Sequence, residues 1–143
     1  MFGSSKMMET NFLMERALDV ESLRRNVIAN NITNVDVPHF KRSEVNFESE
    51  LRRTIKQNEF KKQNAFPGTL TDERHIPFVE YKSISDVNPR INLDYSTSYN
   101  NNGNNVDIEE EMVDASKNLM RYNALVNGLS QNYKLIKSIM KVG

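Results

Sequence analysis

The chain has 143 residues, 38% of them hydrophobic, and a mean hydropathy of −0.64, which is lean for a compact core of that length and suits an elongated or assembling protein. Nineteen basic and nineteen acidic residues cancel, which removes the electrostatic case for nucleic acid or an anionic membrane as partner. Cysteine is absent, excluding disulfides and thiolate chemistry, no apolar run is long enough to span a bilayer, and the first eleven residues lack the basic region, apolar core and cleavage site of a secretory signal.

The first predicted element is a helix that begins between residues 4 and 11. Leu13, Ala17, Val20, Leu23 and Val27 fall at steps of four, three, three and four, and Glu21 with Arg25 makes a favourably oriented i,i+4 pair. The same rhythm then lands on Asn30 and Asn34, so the stripe turns polar before the helix ends. Pro38 holds Val37 in extended conformations, which places the helix end near residues 34–36. Two readings of the asparagines stand side by side. Asparagine tolerates the left-handed backbone of a last helical turn. Alternatively, Asn30 and Asn34 point into a helix–helix seam, with Asn31 beside it, where a buried amide needs a partner and so selects one register.

Ala29, Asn30, Asn31, Ile32, Asn34, Pro38, Lys41 and Arg42 form a pattern that resembles the signature A-N-N-I-A-N-x-x-T-P-G-Y-K-R of the bacterial flagellar axial proteins, the rod, hook and hook-associated subunits. Thr33, Val37, His39 and Phe40 depart from it, His39 standing where the family has glycine.

Residues 43–63 carry Phe47, Leu51 and Ile55 at i, i+4 and i+8, the thin apolar stripe of a short helix packed on other elements. Pro67 with Gly68, Pro77 and Pro89 then break the chain, and the pieces 76–84 and 90–99 have room for no more than a strand or hairpin. The asparagine-rich stretch 100–105 is a polar loop. Ser98, Asn100 and Asn102 before Gly103, with Glu109 beyond, imitate a calcium loop, but the first position lacks aspartate and only Glu109 brings charge, so no calcium site is expected.

The last element is a helix over 106–142, roughly 50 Å long at 1.5 Å per residue. Ile108, Met112, Ala115, Leu119, Tyr122, Val126, Leu129, Tyr133, Ile136 and Met140 follow in alternating steps of four and three with no polar residue among them. A repeat averaging about 3.5 residues is the coiled-coil spacing and asks for a partner helix, which the Leu13–Val27 stripe supplies. Asp107 is the expected N-cap with Glu110 completing a capping box, and Glu109, Glu111 and Asp114 at the start against Lys134, Lys137 and Lys141 at the end suit the helix dipole. The acidic run therefore has a sufficient electrostatic reason and is not read as a metal site. His39 and His75 lie in separate loops, so spacing assembles neither a zinc set nor a nucleophilic triad. No catalytic residue, cofactor, metal or small-molecule substrate is expected.

The motif opening the last helix, Asn105, Val106, Asp107 and, five positions on, Met112, is similar to the N-V-D-x-x-x-E-M of the same axial proteins. Residues 16–25, 104–107 and 119–125 resemble the flagellar basal-body rod proteins, and among them proximal rod subunits of the B type. Thr71 and His75 echo a T-x-x-x-H stretch of the family. The resemblance implies a structural subunit of the proximal rod, a drive shaft carrying torque from the MS ring toward the hook. It would be exported by the flagellar type III apparatus without a cleaved signal peptide and placed in the periplasmic part of the basal body. The implied partners are further copies, other rod subunits, the MS-ring protein, the small rod adaptor subunit and the export apparatus. A C-type rod subunit and a soluble coiled-coil adaptor are the alternatives. The expected fold is mainly α: two long terminal helices paired as a coiled coil, joined by a short helix and an irregular middle with room for β structure. The expected segments are 1–42, 43–105 and 106–143.

Overall fold

A computed structural model describes residues 2–63, 72, 74, 82–96 and 102–142, with side chains from residue 6 to 141 apart from residues 62 and 63. In chain order the elements are α1 (Phe2–Thr33), β1 (Ser43–Asn46), α2 (Glu48–Gln63), a 3-10 turn (Ile84–Asp86), β2 (Arg90–Leu93) and α3 (Ile108–Val142). By internal contacts the chain divides into two compact units, residues 1–45 with 91–143, and residues 46–90.

The larger unit is built on α1 and α3, about 48 and 52 Å long at 1.5 Å per residue. They run antiparallel: Asn132 Nδ2 donates to Asn11 Oδ1 and Asn118 Nδ2 to Glu21, so positions rise along one helix as they fall along the other. The helix begins earlier than its sequence suggests, because between residues 2 and 10 only Gly3 opposes helix. It stops at Thr33, where side chains take the last carbonyls. Thr33 Oγ1 donates to the Ala29 and Asn30 oxygens, and Asn34 Nδ2 to the Asn30 oxygen at 2.7 Å. The expected Asp107 cap is present at the α3 start: its carboxylate accepts from the backbone N–H groups of Glu109 and Glu110 at 2.9 and 3.4 Å.

Strands β1 and β2 form a two-stranded antiparallel sheet. The expected strand near residue 90 is therefore real, but it pairs with Ser43–Asn46 across a long connection and not with a neighbour in a hairpin. Its companion piece over 76–84 falls largely outside the described residues, as do Thr71, His75, Ser98 and Asn100.

In the smaller unit α2 starts one residue after Phe47, which is buried together with Thr54 and Val87. Leu51 N–H donates to the Phe47 oxygen, and Ser83 caps the 3-10 turn in a reciprocal box with Asp86. No helix among the described residues is long and apolar enough to cross a membrane.

Candidate assembly site

The two sequence motifs, some seventy residues apart, meet at the end of α1 where it faces the start of α3. Asn104 is fully buried, and its Nδ2 donates to the oxygens of Asn34, Val35 and Val37 at 2.9–3.0 Å, while its Oδ1 accepts from Val106 N–H at 2.7 Å. One amide thus adds a bond to the Asn34 and Val37 oxygens, which also accept from the Val37 and Phe40 N–H groups, and takes the Val35 oxygen itself. Asn105 does the same for the neighbouring strands: its Oδ1 accepts from Arg42 N–H and its Nδ2 donates to the Asp94 oxygen. Asn31, 1% exposed, grips Ser43 by both backbone groups, donating to its oxygen at 2.9 Å and accepting from its N–H at 3.0 Å. Lys41 Nζ donates to the Gly103 oxygen.

Arg42 is the charged centre of this knot. Its Nε reaches Glu111 Oε1 at 2.5 Å, its second nitrogen Asp114 at 3.3 Å and its third Glu44. Glu111 is fully buried, and its Oε2 has no hydrogen-bond partner among the described residues. Burial is the largest influence on the Arg42 guanidinium and lowers its pKa. The hydrogen bond and charge of Glu111, with Glu44 and Glu110, outweigh it and leave the pKa raised. Arginine's fixed fork suits three carboxylates at once in a way a lysine point charge does not.

The turn between the motifs is strained where it departs from the family pattern. His39, which stands where the resembled signature has glycine, has φ 60°, the left-handed region, at a cost of about 1–2 kcal/mol for a residue with a side chain. Its N–H donates to the Asn102 oxygen, and its ring lies over Gly103, itself at φ 80°. A Cβ on Gly103 would come within 2.8 Å of His39 Nδ1, so glycine is required there by space as well as by backbone.

Along the α1–α3 seam the structure separates residues that the sequence places on one stripe. Val20 and Val27 are buried, and Leu13, Ala17 and Leu23 half-buried. On α3, Ala115, Tyr122, Leu129 and Ile136 are half-buried, whereas Ile108, Met112, Leu119, Val126, Tyr133 and Met140 are exposed, from 40% at Val126 to 77% at Met140. The seam row that alternates with Ala115, Tyr122, Leu129 and Ile136 is Glu111, Asn118, Leu125 and Asn132. Three of these four are polar, so hydropathy cannot find them. Asn118, 2% exposed, donates to both the Glu21 backbone oxygen and its carboxylate, which also accepts from Arg24. Arg25 lies over the Tyr122 ring at 4.9 Å.

The asparagines at the end of α1 are redistributed likewise. Asn30 is exposed and Asn34 half-buried against it, bonding to the Asn30 oxygen as a helix end does, and the buried amide is Asn31. The reason is phase: the inner face of α1 runs through Asn11, Val20, Glu21, Val27, Ile28 and Asn31, about one residue on from the apolar stripe. A signal for Asn31, Asn104 and Asn105 does exist in the sequence, as the two motifs. No signal marks Asn118 or Asn132. Tyr133, on the exposed row, donates to Glu15 at 2.6 Å, and that bond raises its pKa.

What remains outward is a row of apolar side chains at heptad spacing on a helix whose other side is locked by polar pairs, a surface suited to assembly rather than to catalysis. No family model matches the chain. Among curated proteins it is 38% identical to the flagellar basal body rod protein FlgB of Borreliella burgdorferi over 126 residues, 88% of this chain and 91% of that protein. It is 34% identical to FlgB of Bacillus subtilis over 130 residues, 91% and 92% of the two chains, and 23% identical to FlgB of Escherichia coli over 129 residues, 90% and 91%. With the end-to-end motif knot and this coverage, the chain belongs to the FlgB family of flagellar basal body rod proteins.

Proposed function

We propose that the chain is a structural subunit of the proximal rod of the flagellar basal body, one element of the shaft that passes torque from the MS ring toward the hook. The observation that carries this reading is the division of α3 into a side fixed to α1 and an exposed apolar row at heptad spacing, Met112, Leu119, Val126 and Met140, with Tyr133 of the same row bonded back to Glu15 of α1. Such a row is costly in a protein that stays alone and useful in one surrounded by neighbours. The helix-pairing residues hold the subunit, the exposed row meets other subunits, and torque passes through many side-chain contacts. Residues 1–42 and 106–143 supply the shaft, and 43–105 a variable middle.

On this reading the partners are further copies, other rod subunits, the MS-ring protein, the small rod adaptor subunit and the export apparatus. The chain works in the periplasm after export, and it carries no enzymatic activity. The test is a pair of variants in a strain lacking the gene. Leu129→Lys drives an ammonium into a half-buried seam position, and Gln131→Lys adds charge to an exposed position about 200° round the helix. Loss of rods and motility with the first and their retention with the second is expected. Normal rods with Leu129→Lys, or motility in the strain without the gene, would overturn the reading.

A further inference from the structure

Asparagine followed by glycine occurs twice in the chain, at Asn102 with Gly103 and at Asn127 with Gly128. In this dipeptide no side chain on the second residue shields its backbone nitrogen from the asparagine amide. The fold puts the two copies in opposite settings. Asn127 and Gly128 lie inside α3, where the Gly128 N–H belongs to the helical ladder and the helical backbone angles hold the Asn127 amide carbon out of line with that nitrogen. Asn102 and Gly103 lie in the turn ahead of the knot. Asn102 is exposed, its Oδ1 accepts from Asn104 N–H at 3.0 Å, and its backbone oxygen accepts from His39 N–H at 3.2 Å. The Gly103 N–H donates no hydrogen bond among the described residues. Each of the two bonds to Asn102 acts on one side of a reaction. The bond to Oδ1 draws electron density from the amide carbon and stabilises negative charge that develops on that oxygen. The bond to the backbone oxygen polarises the peptide unit to which the Gly103 N–H belongs and makes that N–H more acidic. The turn closed by Asn104 N–H contains both the amide carbon and the Gly103 nitrogen, so the reacting pair is held together.

We propose that Asn102 is a site of self-modification, which passes through a cyclic imide to aspartate or isoaspartate without an enzyme. The Gly103 nitrogen gives its proton to a solvent hydroxide and bonds to the Asn102 Cγ. The bond from Cγ to the side-chain nitrogen breaks, and that nitrogen takes a proton from water and leaves as ammonia, which returns the hydroxide. Water then opens the imide ring at either carbonyl. Opening at Cγ leaves an aspartate side chain. Opening at the backbone carbonyl leaves isoaspartate, whose main chain runs through Cβ and Cγ and is longer by one methylene. In that product the oxygen that His39 N–H binds belongs to a carboxylate off the main chain. Asn104, two residues on, is then displaced from a site where its amide must reach the Val35 oxygen and the Val106 N–H together. Isoaspartate at 102 therefore loosens the knot that joins the two motifs.

The test stores the full-length chain at neutral pH, folded in one sample and unfolded in guanidinium chloride in another. Mass spectrometry follows the peptides that carry each asparagine–glycine pair, and labelling by protein isoaspartyl methyltransferase counts the isoaspartate. In denaturant the two pairs should convert at similar rates, because only the local sequence acts. In the folded chain Asn102 should convert at least as fast as in denaturant, and Asn127 about tenfold more slowly or less, since α3 must open first. Slower conversion of Asn102 in the folded chain than in the unfolded one would overturn the proposal, as would equal conversion of both pairs in the folded chain. The consequence for the knot is read with Asn102→Ser, which keeps a side-chain oxygen for the Asn104 N–H and has no amide to lose. After equal storage the urea midpoint of the unaltered chain should fall in step with its isoaspartate content, and that of Asn102→Ser should hold. A midpoint that holds in both while isoaspartate accumulates would sink the link to the knot.

Discussion

Asn104 shows how much one side chain decides here. Its amide closes three carbonyls of the turn after α1 and one N–H ahead of α3, so the two motifs are joined through a group that water cannot reach. Removing it takes the partner from the Val35 oxygen and the Val106 N–H, each costing about 1–3 kcal/mol when left unpaired, while the Asn34 and Val37 oxygens keep their backbone bonds. Asn104→Ala should therefore lose about 2–4 kcal/mol in urea unfolding. Asn123→Ala, at an exposed α3 position, should stay within about 0.5 kcal/mol. A near-zero effect at Asn104 would mean that the knot is held elsewhere, with Arg42 and Glu111 the alternative centre. That ion pair is weaker evidence for stability, because burying both charges offsets much of their attraction.

Polar residues in the α1–α3 seam make it specific at the expense of strength. Asn118 and Glu21 satisfy one another only when the helices are in register, and Asn132 with Asn11 repeats the condition two heptads on. Asn118→Leu should destabilise by about 2–3 kcal/mol, since it leaves the buried Glu21 carboxylate with less to bind. The double variant Glu21→Leu with Asn118→Leu should recover most of that loss in urea unfolding yet give a mixture of registers, visible as doubled amide resonances. A double variant as unstable as the single one would count against the pairing. Gly128 sits on the same face, where an added Cβ would meet the Met14 thioether at an ordinary 3.6–3.7 Å. Gly128→Ala should accordingly raise the urea midpoint by the equivalent of about 0.5–1 kcal/mol, by restricting the unfolded chain without a clash.

In the larger unit, the proposed function has folding and assembly draw on different faces of α3. Val20, 3% exposed on α1, belongs to the fold, and Leu119, 52% exposed on α3, does not. Val20→Lys should abolish cooperative unfolding, since an unpaired ammonium in the seam costs several kcal/mol against a total stability of about 5–15. Leu119→Lys should leave circular dichroism and unfolding nearly unchanged and still prevent rods in cells. Equal damage by both to the free chain would mean that α3 is held on two sides within one molecule and has no face to spare for neighbours.

The sequence by itself determined the two long helices, the Asp107 cap, the end of α1 before Pro38 and the presence of the two motifs, because each is set by local chemistry: side-chain period, capping hydrogen bonds and proline sterics. It also determined that α3 needs partners, through the ten apolar positions from Ile108 to Met140. Only the tertiary structure decided which of those positions face α1 and which face outward. A heptad pattern reports that a helix is apolar, and it cannot distinguish a seam within the chain from one between chains, since both remove the same surface from water. The inner row of Glu111, Asn118 and Asn132 was invisible for a second reason. Each is tolerable when buried only because Arg42, Glu21 or Asn11 arrives from about 70 to 120 residues away, and hydropathy, read one residue at a time, contains no information about partners brought by the fold.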